Sequence, residues 1–254
     1  MAISVSPARP IVHPSLSVLV PAFNEETGLG PTITQIRQAL ETTIEDFEIL
    51  IVNDGSTDGT ASEAERLALA DPHIRVFHNA RNMGLGYSYL RGTREARKDH
   101  FVYVPGDNTW PAASIAEIFR HLGKADIVTS FATNPEVRLA YRRIVSSGYT
   151  RLVNILFGYG LRYYNGLVIY PAPFLRAHPT TTHGFAFQSE TLLKALDAGL
   201  CVVEVGVPID ESTARRSKAV TVRNILSVLK TLALTYWRLR VQRLARLPKA
   251  PAVR

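Results

Sequence analysis

Short apolar runs alternate with amphipathic segments along the first half of the chain. The apolar runs span residues 16–21, 47–52, 74–78 and 101–104 and are typical of buried β-strands. The intervening segments have helical spacing and span residues 27–42, 59–70 and 86–98. Strands that alternate with helices of this length predict an α/β fold, with an open, mostly parallel sheet flanked by helices.

The second half alternates less regularly. We expect helices over residues 137–157 and 187–198, a turn at Asn165-Gly166 and a strand over residues 202–207. A later apolar run over residues 225–237 is interrupted by Lys230 and is shorter than the ~20 residues that a membrane-spanning helix needs. Its helical spacing predicts a C-terminal amphipathic helix that lies on a membrane or packs on the body of the protein. The apolar positions of this helix are Leu226, Leu229, Ala233, Tyr236 and Leu239.

Polar turns follow each of the four early strands. They occupy residues 21–25, 53–58, 79–86 and 105–108. In open α/β sheets ligands bind outside the carboxyl ends of the strands. We therefore expect these four turns to surround one crevice.

Composition and charge narrow the class of protein. The 254 residues are 46% hydrophobic and 20% charged, which is ordinary for a globular protein, and the single Cys201 excludes a disulfide framework. Residues 212–254 hold 11 Lys or Arg and no Asp or Glu, whereas the rest of the chain has 18 basic and 22 acidic residues. The basic end predicts contact with an anionic membrane surface and not with nucleic acid, and a solvated helix face is the alternative.

Three turn residues are candidates for nucleotide chemistry. Asp54, after the second strand, is placed to accept hydrogen bonds from a nucleobase, although its turn is equally explained by capping. The loop with Gly84 offers backbone N–H groups to a diphosphate, and Asp107 offers a carboxylate to Mg²⁺ or Mn²⁺. The chain has no Walker A sequence and no full dinucleotide fingerprint, which disfavours an NTPase or an NAD enzyme.

Taken together, the four turns resemble the family 2 glycosyltransferases with the GT-A fold. The resemblance is carried by LVPAFNEE (19–26), IVNDGSTDGT (51–60), the 82–86 loop and VPGDN (104–108), and within the family it is strongest to dolichyl- or polyprenyl-phosphate sugar synthases. It implies sugar transfer with inversion from a nucleotide-diphosphate donor, with a divalent metal on Asp107. The donor-binding residues that it implies, together with Gly84, are Pro21, Ala22, Asn24, Glu25, Asp54, Asp107 and Gln188.

The later region resembles the same subgroup. GFAFQSE (184–190), VEVGVP (203–208) and RRSK (215–218) correspond to a Gln-x-Glu helix, a strand and a basic segment that closes over the phosphates. The resemblance implies catalytic roles for Glu190, Arg215 and Lys218 beside Asp107. The residues that it offers to an acceptor phosphate are Arg138, Arg142, Arg143, Arg151 and Ser217.

Two departures from the family pattern concern the metal and the acceptor. Pro105-Gly106-Asp107 stands where the family has Asp-x-Asp, so the first carboxylate is missing, and Thr109 stands where a further polar ligand is common. Arg162 and Tyr163 occupy a stretch in which an acidic residue often precedes the glycine. We therefore expect a metal held partly by the donor diphosphate, with acceptor specificity left open.

These observations predict transfer of a hexose, from GDP-mannose or a UDP-sugar, to a polyprenyl or dolichyl phosphate. A phosphate acceptor needs no general base, whereas a hydroxyl acceptor would need one such as Glu190, Asp210 or Glu211. Transfer to a hydroxyl and non-catalytic binding of a nucleotide sugar are the alternatives. The expected arrangement is a loose leader (1–14), a GT-A domain (15–218) and a basic amphipathic helix and tail (219–254), peripheral on the cytoplasmic face of a membrane, with homo-oligomer formation open.

Overall fold

A computed structural model describes residues 14–182, 184, 186–210 and 222–241. The strands in these residues are β1 (Ser15–Ala22), β2 (Asp46–Asn53), β3 (Ile74–His78), β4 (His100–Tyr103), β5 (Ile127–Ala132), β6 (Val168–Pro171) and β7 (Val202–Val207). The helices are α1 (Leu29–Glu41), α2 (Thr60–Ala70), α3 (Leu85–Glu95), α4 (Ala112–Phe119), α5 (Ala140–Phe157), α6 (Ala172–Ala177), α7 (Phe187–Asp197) and α8 (Val222–Tyr236). A 3₁₀ turn (Pro135–Val137) precedes α5, and a π-helical turn (Trp237–Val241) follows α8.

The strands form one sheet in the order β3-β2-β1-β4-β6-β5-β7. Every pair is parallel except those of β6, which runs antiparallel to both β4 and β5. The carboxyl ends of β1, β2, β3, β4, β5 and β7 therefore point to the same edge of the sheet. The predicted open, mostly parallel α/β sheet flanked by helices is confirmed.

The sheet is covered on both faces, which explains why its central strands read as continuous apolar runs. Alternate β1 residues enter two different cores: Val18 and Val20 pack with α1 and α4, whereas Leu19 packs with α3. Gly92 permits the close approach of α3, because a Cβ there would lie 2.7 Å from the Leu19 methyl groups.

Four elements escaped prediction: α4, β5, β6 and α6. In β5, Thr129 and Ser130 are fully buried, and the Ser130 hydroxyl accepts the Leu167 N–H at 2.8 Å, so polar residues interrupt an otherwise apolar strand. The four residues of β6 are too few to show a period, and the strand ends at Pro171, where α6 begins. The predicted helix over 137–157 begins three residues later, after the 3₁₀ turn.

The predicted C-terminal amphipathic helix is present as α8 and packs on the body. Leu232 is buried in the same core as Val153 and Phe157, and the rings of Phe157 and Tyr236 meet edge to face at 5.7 Å. Among the described residues, no helix combines the length and apolar character that crossing a membrane requires. Residues 1–13 and 242–254 lie outside the described residues, so the leader, the tail and the domain division remain predictions.

Candidate active site

The loops after β1 and β2 are joined by hydrogen bonds between side chains and backbone. Asn24, with a left-handed φ of 57°, accepts the Thr57 N–H on Oδ1 at 2.9 Å, and its own N–H donates to Ser56 Oγ at 3.0 Å. The Glu25 N–H donates to Thr60 Oγ1 at 2.8 Å. These bonds fix the backbone around Pro21, Ala22, Asn24 and Glu25 against the second loop, so the candidate donor-binding residues form one rigid rim.

Asp54 organises the third loop. Its carboxylate is buried and accepts three hydrogen bonds, from the Asn79 side chain at 2.7 Å and from the backbone N–H groups of Met83 and Gly84 at 2.9 Å each. Gly84 has φ of +91° at the start of α3, a conformation that favours glycine. Whether Asp54 also binds a nucleobase stays a prediction, and the structure gives it a loop-holding role that sequence reasoning missed.

Asp107 lies in a tight turn after β4. Its Oδ1 accepts hydrogen bonds from the N–H and the hydroxyl of Thr109. Within the described residues no hydrogen bond reaches its other oxygen, Oδ2. Gly28, at the start of α1, lies against this turn, because a Cβ there would stand 2.9 Å from Gly106 O and 3.1 Å from Glu25 Oε2. The first and fourth loops therefore meet at Gly28, beside Asp107.

The segment after β7 connects the Asp107 turn to the end of β5. The Asp210 N–H donates to Thr109 O at 3.0 Å, while Ile209 exchanges two 2.9 Å hydrogen bonds with the side chain of Asn134. Asn134 follows β5 by two residues. One extended segment thus spans the carboxyl edge of the sheet from β4 across to β5.

A cavity of about 140 Å³ opens beyond the end of β5. Three arginines line it: Arg138 before α5, Arg143 on α5 and Arg162 before β6. The Arg138 guanidinium lies 5.4 Å from the centre of the Tyr163 ring, and that of Arg162 lies 4.7 Å from the centre of the Phe131 ring. The remaining lining residues are apolar or carry hydroxyl groups: Phe131, Ala132, Pro135, Ser146, Ser147, Thr150 and Tyr163. No carboxylate is among them.

The structure separates the arginines that the sequence grouped together for an acceptor phosphate. Arg138 and Arg143 line the cavity, whereas Arg142 and Arg151 project from other sides of α5 and do not. Arg162 also lines the cavity, although from the sequence it was notable only as a departure from the family pattern. The sequence contains one signal for this cavity: Arg143 and Ser147, which both line it, are four residues apart and therefore lie on one face of the helix.

Glu190 and Gln188 on α7 have structural partners. Glu190 is buried and accepts hydrogen bonds from the backbone and hydroxyl of Thr181 and the hydroxyl of Thr180, and it pairs with Lys194 at 2.7 Å. The structure gives this carboxylate a role in holding the segment of Thr180 and Thr181, and its expected catalytic role stays a prediction. Gln188 Nε2 donates to Gly166 O at 2.9 Å, and its donor-binding role stays a prediction.

The basic segment expected to close over the phosphates lies outside the described residues. Glu211, Arg215, Ser217 and Lys218 belong to the stretch 211–221, and their roles remain predictions. Asp210, the last described residue before that stretch, is exposed beside Thr109.

Comparison with known proteins identifies the family to which these loops belong. The family described as Glycosyl transferase family 2 matches residues 17–172, which include the four turns and the α5 arginines. The chain belongs to glycosyl transferase family 2. It is therefore a glycosyltransferase.

Relatives extend the likeness beyond this match. The chain is 30% identical over 215 residues to the polyprenol monophosphomannose synthase of Mycolicibacterium smegmatis, covering 79% of each chain. It is 26% identical over 211 residues to the undecaprenyl-phosphate mannosyltransferase of Micrococcus luteus, covering 79% of this chain and 85% of that one. It is 29% identical over 238 residues to the glycosyltransferase AglD of Haloferax volcanii, covering 89% of this chain but only 38% of that protein.

A solved structure shares the fold. Glucosyl-3-phosphoglycerate synthase from Mycobacterium tuberculosis, crystallised with Mn²⁺, UDP-glucose and phosphoglyceric acid, superposes with a TM-score of 0.67 at 20% identity. The match covers 88% of this chain and 80% of that one. It confirms the GT-A fold.

The contacts of Glu190 generate a prediction about stability. Burial alone would raise its pKa, but the hydrogen bonds and charge of Lys194 and the bonds from Thr180 and Thr181 outweigh burial, so the pKa lies below its ordinary value. We expect Glu190→Gln to lower the free energy of unfolding by about 2–4 kcal/mol at pH 7. Because the lowered pKa stabilises only the ionised form, this difference shrinks as the pH falls below about 4.3, the ordinary glutamate pKa.

Urea denaturation between pH 3 and pH 7 measures this dependence. Glu117→Gln is the control, because Glu117 is an exposed glutamate on α4 that pairs with Arg120. The control change should cost less than about 0.5 kcal/mol. Equal losses from both variants, or a loss at Glu190 that does not change with pH, would contradict the assigned role.

Proposed function

We propose that this glycosyltransferase moves a hexose from a nucleotide-diphosphate sugar to a polyprenyl phosphate, with inversion at the sugar carbon. The observation that carries the proposal is the cavity beyond β5, which is lined by Arg138, Arg143 and Arg162 and has no carboxylate among its described lining residues. Guanidinium groups match phosphate oxygens in both charge and geometry. The names of the mycobacterial and Micrococcus relatives, which specify polyprenol and undecaprenyl phosphate chemistry, agree with this acceptor class.

The described lining residues of the cavity include no carboxylate, which distinguishes between acceptors. A phosphate oxygen is already an anionic nucleophile, so its attack on the sugar carbon requires positioning and charge neutralisation, which the three arginines supply. A hydroxyl acceptor loses a proton during attack and needs a base within hydrogen-bond reach. The Glu190 carboxylate is buried and bonded to threonines and Lys194. Among the residues that the structure describes, Asp210, which is exposed beside Thr109, is therefore the better candidate for a base that serves a hydroxyl acceptor.

On this proposal the donor lies along the loops after β1, β2 and β3, with its diphosphate beside Asp107. A Mg²⁺ or Mn²⁺ ion fits this place, because Asp107 Oδ2 accepts no hydrogen bond from the described residues and hard cations bind through one or two carboxylates plus substrate phosphates. No group of three His, Cys, Asp or Glu side chains that would hold a metal occurs among those residues, in keeping with an ion shared with the donor. When bound, the metal would neutralise charge on the departing nucleoside diphosphate.

The proposed arrangement brings donor and acceptor together at one edge. The Asp107 turn follows β4 and the arginine cavity follows β5, two strands that are separated only by β6 and therefore lie about 10 Å apart across the sheet, two inter-strand spacings. We propose that the transferred hexose lies between these two places. We include Arg215, Ser217 and Lys218 in the proposal as groups that close over the phosphates, since their segment continues directly from Asp210.

The metal role of Asp107 predicts an outcome for Asp107→Asn. We expect turnover to fall by about 100-fold or more, because the neutral amide is a poor ligand for a hard cation. Calorimetric titration of GDP and UDP should show that Mg²⁺ strengthens nucleotide binding in the unchanged protein and no longer does so in the variant.

Asp46→Asn is the matched control for this change. Asp46 begins β2 at the opposite edge of the sheet and pairs with Lys98, so turnover and metal-dependent binding should persist. Metal-dependent nucleotide binding that survives Asp107→Asn would show that the metal is held elsewhere.

The acceptor role of the cavity predicts an outcome for Arg143→Ala. With a short, water-dispersible polyprenyl phosphate we expect the acceptor KM to rise about tenfold or more, because a charged hydrogen bond is lost. Slow hydrolysis of the donor without acceptor should not change, since Arg143 does not contact the donor loops.

Arg120→Ala is the control, because Arg120 is an exposed arginine after α4 that pairs with Glu117. It should leave the acceptor KM unchanged. If Arg143→Ala leaves it unchanged as well, the acceptor phosphate does not bind in this cavity and a hydroxyl acceptor becomes the better explanation.

A further inference from the structure

The apolar side of α5 faces outward. Ile144 is 73% exposed and Ile155 is 81% exposed, and they belong to an apolar stripe along one face of the helix. The stripe consists of Tyr141, Ile144, Val145, Leu152, Ile155 and Leu156, with Gly148 at the position between its two halves. A surface helix of a globular protein normally turns such a stripe toward the core. In α5 the opposite side, with Thr150, Val153 and Phe157, is the buried one.

A second exposed apolar stripe lies on α8 and the turn that follows it. Leu226, Leu229 and Trp237 are all exposed, and Trp237 is 56% accessible. The rings of Phe157 and Tyr236 pack together, so α8 lies against the buried side of α5. Of the 15 exposed large hydrophobic residues in the described part of the chain, only Leu69 lies outside the segments 137–156 and 225–237. Apolar exposure is therefore concentrated on these two segments, which marks interaction surfaces.

The charges on the segments that carry these stripes are of one sign. The α5 helix carries Arg142, Arg143 and Arg151 and no acidic residue, and residues 222–241 likewise contain basic residues and no Asp or Glu. Arg142 and Arg151 lie on the two borders of the α5 stripe, and Lys230 is exposed on α8. An apolar stripe with basic borders is the pattern of a helix that lies in the headgroup layer of an anionic bilayer.

From this arrangement we infer that α5 forms a membrane-docking surface for an anionic lipid bilayer, with its apolar stripe inserted among the lipids. A second copy of the chain is a poorer occupant. A two-fold interface would bring the α5 stripe against itself, and the basic residues on its borders would approach a helix that carries three arginines and no Asp or Glu. The inference differs from the expectation of a basic tail alone, because it places the main contact on a helix within the catalytic body.

Binding to vesicles tests this surface directly. We expect the full chain to bind vesicles of phosphatidylcholine with about a quarter phosphatidylglycerol, and to bind more weakly in high salt. The double variant Ile144→Glu, Ile155→Glu should weaken this binding by about tenfold or more, because two apolar side chains no longer enter the lipid and two negative charges approach anionic headgroups. Both positions are exposed, so the fold should persist, as circular dichroism would verify.

Leu69→Glu is the matched control, since Leu69 is 90% exposed on α2, away from the stripes. It should bind vesicles like the unchanged chain. The milder double variant Ile144→Ala, Ile155→Ala keeps the helix and should give an intermediate loss, so the test remains decisive if the charged variant unfolds.

Vesicle binding by an intact Ile144→Glu, Ile155→Glu variant that equals the unchanged chain would overturn the inference. So would light scattering that shows a dimer of the unchanged chain dissociated by the same variant while vesicle binding persists, because the face would then join two copies. Vesicle binding needs neither donor nor acceptor, so this inference and the proposed reaction can fail separately.

Discussion

Hydrogen bonds from polar side chains at the strand ends to the backbone of neighbouring loops hold the candidate active site together. Asn24, Asp54 and Asn134 each accept backbone N–H groups from a loop that follows a different strand. Irregular loops have no ladder of their own, and an unpaired N–H at a partly buried edge costs free energy. These three side chains therefore decide where the rim of the donor site, the loop at Gly84 and the segment next to Asp107 lie relative to one another.

Helix α5 connects the proposed chemistry to the proposed surface. One of its faces places Arg143 in the cavity beyond β5, another packs in the core through Val153 and Phe157, and a third presents Ile144 and Ile155 outward. Because Thr150 lines the cavity and is also buried, the cavity lies on the side of α5 opposite the outward stripe. One helix therefore carries three different kinds of side chain, and it separates the proposed membrane surface from the proposed acceptor site.

The sequence predicted the parts of the fold that depend on local patterns. Strands β1, β2 and β4 are buried on both faces and read as apolar runs. The turns at Asn24, Asp54 and Asp107 lie together because parallel strands end at one edge. What depends on tertiary packing was not predictable. Ser130 is polar yet buried in β5. The Glu190 carboxylate accepts hydrogen bonds from the threonine segment that precedes α7, and Arg162 reaches the cavity from the loop between α5 and β6. Nothing in the spacing of those residues reveals their partners.

Release of nucleoside diphosphate from a panel of nucleotide sugars, with Mg²⁺ and with or without a short polyprenyl phosphate, tests the central claim most directly. The account predicts that one donor releases its nucleoside diphosphate rapidly only when the lipid phosphate and the metal are both present, and that the product is the glycosylated lipid phosphate. Release that no lipid phosphate accelerates, but that a hydroxyl compound does, would contradict the assignment of the arginine cavity to a phosphate acceptor.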